Sequence, residues 1–301
     1  MFRVVLLILS FWLTAGFAQA RESLPVKTGN TEISLISDHD TIAPGGSFTV
    51  ALRMKFKGNW YTYWQNAGDS GEPVHIAWTL PEGVTAGPIQ WPAPKVKTVG
   101  PITSYGMGEE VWLPVEISVG AAVDTSQPIV INAHGYYLVC DDICIPEDGA
   151  VSLPMAVGAS VSNQEHAAQI NAAKAKIPQL GSARGSAHME NGKVVFNLAG
   201  LPRGFDEAQL FPTRNPIIVH SDPIAFEKTK KGARYIATPG YGWDDGTPES
   251  FHAVLMAENG KHALCLSTRL KFLISVPLAA EALAQARHLK LVYLAPPLAR
   301  L

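Results

Sequence analysis

The chain is 301 residues long, 47% hydrophobic and 17% charged, with a formal net charge of −2. A charge so near zero, with no basic runs, argues against nucleic acid as a partner. The length suits two domains, each large enough to bury its own core, and the charged fraction is below the globular average.

The first 20 residues read as an export signal. Arg3 supplies a positive start, residues 4–17 form an apolar run broken only by Ser10, Thr14 and Gly16, and Ala18-Gln19-Ala20 is a small-residue cleavage site. The run is short for a membrane span, and no later stretch approaches that length. The expectation is a periplasmic protein, cleaved after about Ala20.

Residues 21–157 read as one β domain. Residues 31–36 alternate, and residues 47–54 do so more cleanly, with Phe48, Val50, Leu52 and Met54 on one face. Residues 74–78 and 111–117 are further strands. Pro44-Gly45-Gly46, Pro81-Glu82-Gly83, Gly100-Pro101 and Tyr105-Gly106 punctuate them. Short strands without helical periods between them predict an antiparallel β-sandwich. Residues 158–187 read as helix and linker. Ser162 serves as N-cap with Glu165 three residues on, the Ala-rich stretch runs to Lys176, and Pro178 stops it. Residues 188–301 read as a second β-rich domain, with strands expected at 193–198, 217–220, 233–237, 250–256 and 289–293. A short helix is expected over 278–286, and the tail around Pro296-Pro297 has no regular pattern.

The chain has three cysteines. Cys265 sits in an apolar strand-like run and reads as a buried thiol. Cys140 and Cys144 are four apart, and on one extended strand their Cα atoms would lie about 13 Å apart, too far for a disulfide. The chain must turn between them. Asp141-Asp142 is a suitable turn, and a hairpin there brings the cysteines within bonding range. The closed loop is small, so its entropic stabilisation is at the low end of the disulfide range. That tilts the pair towards redox work. The two aspartates should raise the neighbouring thiol pKa, which suits a passive thiol. The residues alone leave a structural disulfide and a redox disulfide both open. A Cu(I) site with His134 as third ligand is a weaker reading. No metal, cofactor, P-loop, dinucleotide fingerprint or Ser-His-Asp signature is called for.

The segment Tyr136-Tyr137-Leu138-Val139-Cys140-Asp141-Asp142-Ile143-Cys144-Ile145-Pro146-Glu147 resembles the active-site segment of the N-terminal periplasmic domain of DsbD-type thiol:disulfide interchange proteins, and most of all the ScsB-like branch associated with copper tolerance. Residues 58–71, the Trp91-Pro92 segment, and Tyr105-Gly106 followed by residues 111–115 are similar to other parts of that domain. The resemblance spans roughly residues 30–157 and only loosely extends beyond. It implies an immunoglobulin-like fold and electron shuttling by Cys140 and Cys144. It also implies a cap loop around residues 103–106, with Tyr105 as lid beside Gly106. Tyr61, Tyr63 and Tyr136 are candidates for shielding the pair, and sandwich core is the other role open to them. Family members continue into a membrane domain that relays electrons. This sequence stops near where that part would begin, so the resemblance implies either a membrane-embedded donor in trans, with thioredoxin-like periplasmic clients, or a remnant of the family. The competing reading is an exported binding module with a structural disulfide, in which Trp60, Tyr61, Tyr63, Trp64 and Trp91 form a platform for peptide or glycan. Copper tolerance is a third.

Overall fold

Alternation of apolar and polar side chains builds the first pair of sheets. The structure, a computed structural model, describes residues 22–181, 183–205, 207–214, 217–243, 250–257 and 262–269. In the strand Ser47–Phe56, Phe48, Val50, Leu52 and Met54 all turn to one buried face. Leu52 lies opposite Leu35 of Thr31–Ser37 on one side and Leu113 of Glu110–Val119 on the other. These three strands, edged by Val26–Lys27 and Val84–Ala86, form the first sheet. The second sheet runs Val161–Ser162, His39–Ile42, Cys144–Val157, Ile129–Cys140, Tyr61–Gly68, Ile102–Gly108, Lys95–Val99, and His75–Thr79 also pairs with Ile129–Cys140. Trp64, Ile131, Val139 and Leu153 from this sheet meet Leu35, Leu52 and Leu113 from the first in one apolar core. The result is an immunoglobulin-like antiparallel β-sandwich. The aromatic platform is not a surface: Tyr61, Tyr63 and Trp64 are buried, and Trp60 and Trp91 pack against the core.

The helix Gln164–Lys174 covers the outer face of the first sheet, where Ile170 packs with Ile36, Ala51 and Trp112. Its N-cap is Asn163, whose side chain accepts from His166 N at 3.0 Å. The capping box expected at Ser162 is displaced by one residue because Ser162 pairs with His39 in the sheet.

The second half adds two more sheets. One runs Gln179–Leu180, His262–Arg269, Ser250–Ala257, Gln209–Pro212; the other runs Arg184–Glu190, Lys193–Ala199, Gly232–Ala237, Ala225–Thr229. Phe211 and Val254 face the core of the first sandwich, while Leu210, Ala253 and Leu255, their neighbours in sequence, face a second core with Phe196 and Tyr235. The strands Gln209–Pro212 and Ser250–Ala257 are therefore buried on both faces, and both halves fall within one compact unit that runs to Leu270.

Two further expectations are corrected. Residues 217–220 are not a strand: Ile218 makes a single bridge to Pro239, and His220 lies in a turn. The stretch expected as linker contains the strands Gln179–Leu180 and Arg184–Glu190, the latter joined to Lys193–Ala199 through Asn191 and Gly192, both at positive φ. Cys265 lies on the His262–Arg269 strand, in register with Leu180 and Val254. The signal segment 1–20, the helix expected at 278–286, the strand at 289–293 and the tail all lie outside the described residues. No helix among the described residues is long and apolar enough to cross a membrane.

Candidate functional site

The two cysteines close a long hairpin. Ile129–Cys140 and Cys144–Val157 pair in unbroken register from Ile129 opposite Met155 to Cys140 opposite Cys144. Asp141, Asp142 and Ile143 form the turn, with Asp141 N donating to Ile143 O at 3.1 Å. Cys140 and Cys144 are joined by a disulfide, with Cα atoms 4.1 Å apart.

Strand alternation decides which side of the sheet the disulfide occupies. Val139 points into the sandwich core and is fully buried, so Cys140 points to the outer face. There it is covered by the neighbouring strand, on which Tyr61 lies opposite Cys140. Tyr61, Tyr63, Ala67 and Cys140 form a small buried cluster with Leu138 at its rim. The cover is unequal: Cys140 is 1% exposed, whereas Cys144 is an exposed residue.

Tyr63 reaches both sulfurs, its hydroxyl lying 2.8 Å from Cys140 Sγ and 3.3 Å from Cys144 Sγ. Disulfide sulfurs carry no hydrogen, so the hydroxyl donates. Burial, reinforced by Tyr61, raises its pKa well above the ordinary tyrosine value, which keeps the proton on the oxygen. Tyr61 stands edge-on to Tyr63 with ring centroids 5.6 Å apart, and Lys97 Nζ lies 5.1 Å from the Tyr61 ring centre. Gly106 faces Tyr63 across the ladder and leaves the room this stack needs, since a Cβ there would come within 2.8 Å of Tyr61 Cδ2.

The other expected site residues are dispersed. Residues 103–106 are not a loop but part of the strand Ile102–Gly108, in a hairpin with Lys95–Val99. Gly106 faces the cysteine side, so alternation sends Tyr105 to the opposite face. There it is 3% exposed, packs edge-on against Trp64 and Phe211, and is hydrogen-bonded to His220 Nδ1 at 2.9 Å. Tyr105 is thus no lid over the disulfide; the second half supplies its buried partner. Tyr136 shares the outer face with Cys140 but lies four residues along the strand, 45% exposed and stacked on His134 at 4.3 Å. His134 is six residues from Cys140, about 20 Å along the strand, and its Nε2 pairs with Asp148 at 2.7 Å. That removes the copper site built on His134, and no cluster of metal-ligating side chains occurs among the described residues. Asp141 and Asp142 flank the disulfide in the turn, Asp142 exposed. Sequence reasoning missed Lys97, Asp69 and Gly71. The Gly68-Asp69-Ser70-Gly71 string carried a turn signal for the last two; nothing in sequence placed Lys97 on Tyr61.

Comparison with known proteins bears on the fold and on the first half of the chain. The solved structure of the N-terminal periplasmic domain of ScsB from Proteus mirabilis superposes with a TM-score of 0.62 at 15% identity, covering 83% of this chain and 98% of that one. At that identity the likeness establishes the fold, and its coverage extends well beyond the first sandwich. The periplasmic chaperone SfaE (TM-score 0.23, 8% identity, 79% of this chain and 100% of that one) and Spo0M, a sporulation control protein from Bacillus subtilis (0.24, 8%, 79% and 90%), match too loosely to bear on it. No curated protein matches the chain. Residues 34–156, which carry both cysteines and Tyr63, match the family described as thiol:disulfide interchange protein DsbD, N-terminal.

Proposed function

We propose that the chain is a periplasmic thiol–disulfide exchange module in which Cys140 and Cys144 carry two electrons between a membrane-embedded or soluble donor and thioredoxin-like clients. One observation carries the reading: the disulfide is half covered, with Cys144 open to solvent and Cys140 sealed beneath the Tyr63 hydroxyl. A donor thiolate attacks Cys144 Sγ. The S–S bond breaks, and its electron pair leaves on Cys140 Sγ as a thiolate, held by the Tyr63 hydrogen bond. The donor's second thiolate then attacks its own sulfur in the mixed disulfide and releases Cys144 as a thiolate. The donor is now oxidised and the pair reduced, and each thiolate takes a proton from solvent as its pKa requires. The reverse sequence passes the two electrons to an oxidised client. Asp141 and Asp142 border the entry to Cys144 and disfavour its thiolate, in keeping with a carrier that responds to its partners. The export signal and the periplasmic setting of the ScsB domain support the location.

The test uses the full chain and a thioredoxin-like protein lacking its second active-site cysteine, its remaining cysteine activated as a mixed disulfide with thionitrobenzoate, so that an attacking thiolate forms the new S–S bond and expels thionitrobenzoate. Cys140→Ser, which keeps the exposed sulfur, should accumulate a stable mixed disulfide; Cys144→Ser, which keeps only the sealed one, should not. A wild-type couple with a potential below about −300 mV that no thioredoxin-like protein reduces would mark the bond as structural.

A further inference from the structure

Tyr63 is held in place by the loop that follows its own strand. Its ring lies against Gly71, where φ is +116° and an added Cβ would overlap the ring. Gly71 therefore permits both the backbone turn and the close approach. The loop is tied to the Ile102–Gly108 strand: Asp69 N donates to Thr103 O at 2.9 Å, Thr103 N donates to Asp69 Oδ2 at 3.0 Å, and Ser104 Oγ donates to Ser70 O at 3.1 Å.

The second half of the chain holds the same loop. His220 N donates to Asp69 Oδ1 at 2.9 Å, so each carboxylate oxygen accepts one backbone N–H, from a different sandwich. Asn66, 2% exposed, donates from Nδ2 to Pro212 O at 2.8 Å and accepts Gly68 N on Oδ1 at 3.0 Å. The His220 side chain is hydrogen-bonded to Tyr105, which packs on Phe211 beside Pro212. The start and the middle of the loop are thus both anchored to residues 212–220.

We propose that the second half of the chain is a positioning element for the disulfide: Pro212 and His220 hold Asn66 and Asp69, these fix the loop 68–71, and the loop keeps the Tyr63 hydroxyl on Cys140. Asn66 and Asp69 are positioning residues, because neither touches a sulfur and both act through Tyr63. The proposal rests on the exchange reading above and adds a role for the half of the chain that carries neither reacting sulfur. Hydrogen bonds at two anchors, those of Asn66 buried and that of His220 to Asp69 part-buried, explain why a side chain on one sandwich keeps a fixed angle to a sulfur when the loop behind it is glycine-rich.

The experiment measures reduction of the oxidised full chain by dithiothreitol, well below the melting temperature, for wild type, Tyr63→Phe, Asp69→Ala and the double variant. Asp69 is a surface residue, so its replacement leaves the core intact. Each single variant should react several-fold more slowly, and the double no more slowly than the slower single, because both substitutions remove the same hydrogen bond. Asp69→Asn keeps one acceptor oxygen and should fall between wild type and Asp69→Ala; it carries the test where Asp69→Ala does not fold. Asp69→Ala reacting at or above the wild-type rate while Tyr63→Phe is slow overturns the proposal and leaves the exchange reading standing. So does multiplicative slowing in the double variant. A wild-type disulfide that dithiothreitol reduces only on unfolding overturns both.

Discussion

Tyr63→Phe isolates the chemical part of the site. The substitution removes one oxygen and keeps the ring, so the contacts with Tyr61 and Gly71 survive. What is lost is a donor 2.8 Å from Cys140 Sγ and 3.3 Å from Cys144 Sγ. The shorter contact is to the sealed sulfur, which leaves with the charge when Cys144 is attacked. A hydrogen bond to a fully charged partner is worth about 1.5–3 kcal/mol. About half of the charge is developed in the transition state of thiol–disulfide exchange, so the loss there is about 0.7–1.5 kcal/mol. At about 1.4 kcal/mol per factor of ten, reduction should slow roughly three- to twelvefold. The assay is stopped-flow fluorescence of the oxidised chain in excess dithiothreitol at fixed pH, with circular dichroism to confirm an unchanged fold. The reduced variant should also show a higher thiol pKa for Cys140 by thiolate absorbance, since the neutral thiol needs the donor less than the anion does. A Tyr63→Phe rate equal to or above wild type would refute the leaving-group role and reduce Tyr63 to a shield.

Acid should weaken the joint between the two halves. Burial lowers the His220 pKa below its ordinary 6.5, against the opposing pull of Asp69. As pH falls the unfolded imidazole binds its proton first, so this stabilisation is present above pH 6.5 and is lost as pH drops through the folded value; in urea titrations between about pH 7.5 and pH 5, His220→Gln should flatten the acid-side slope relative to wild type. Gly106→Ala should push a methyl into Tyr61, whose Cδ2 would be 2.8 Å away, costing about 1–3 kcal/mol of stability by denaturant midpoint and altering the dithiothreitol rate. Asn163→Ala removes the helix cap at His166 N and the bond from Nδ2 to Asp40, and should cost about 1–2 kcal/mol by the same measure while leaving the exchange rate unchanged.

Local patterns in the sequence accounted for much of the first sandwich. The alternation over residues 47–54 named the core face, and the turn between Cys140 and Cys144 followed from strand rise alone. Where local signals compete, tertiary pairing decides between them. Ser162 is a good cap in isolation, but its backbone is committed to the His39–Ile42 strand, and Asn163 takes the role. Asn191-Gly192 is a strong hairpin signal, and it joins the strand from Arg184 to the one from Lys193.

The two residues of the disulfide and the spacing that lets them bond were written in the chain order. Covalent connectivity and strand period act over a few residues, and a sequence displays that range. Which sulfur is sealed, which tyrosine reaches it and what holds that tyrosine were decided by tertiary structure. Tyr63 meets Cys140 across 77 residues, and Asp69 meets His220 across 151. Tyr61, Tyr63, Tyr105 and Tyr136 are chemically alike in the sequence. Strand alternation and the second sandwich send one to the sulfurs, one against it, one into the joint between the sandwiches and one to solvent.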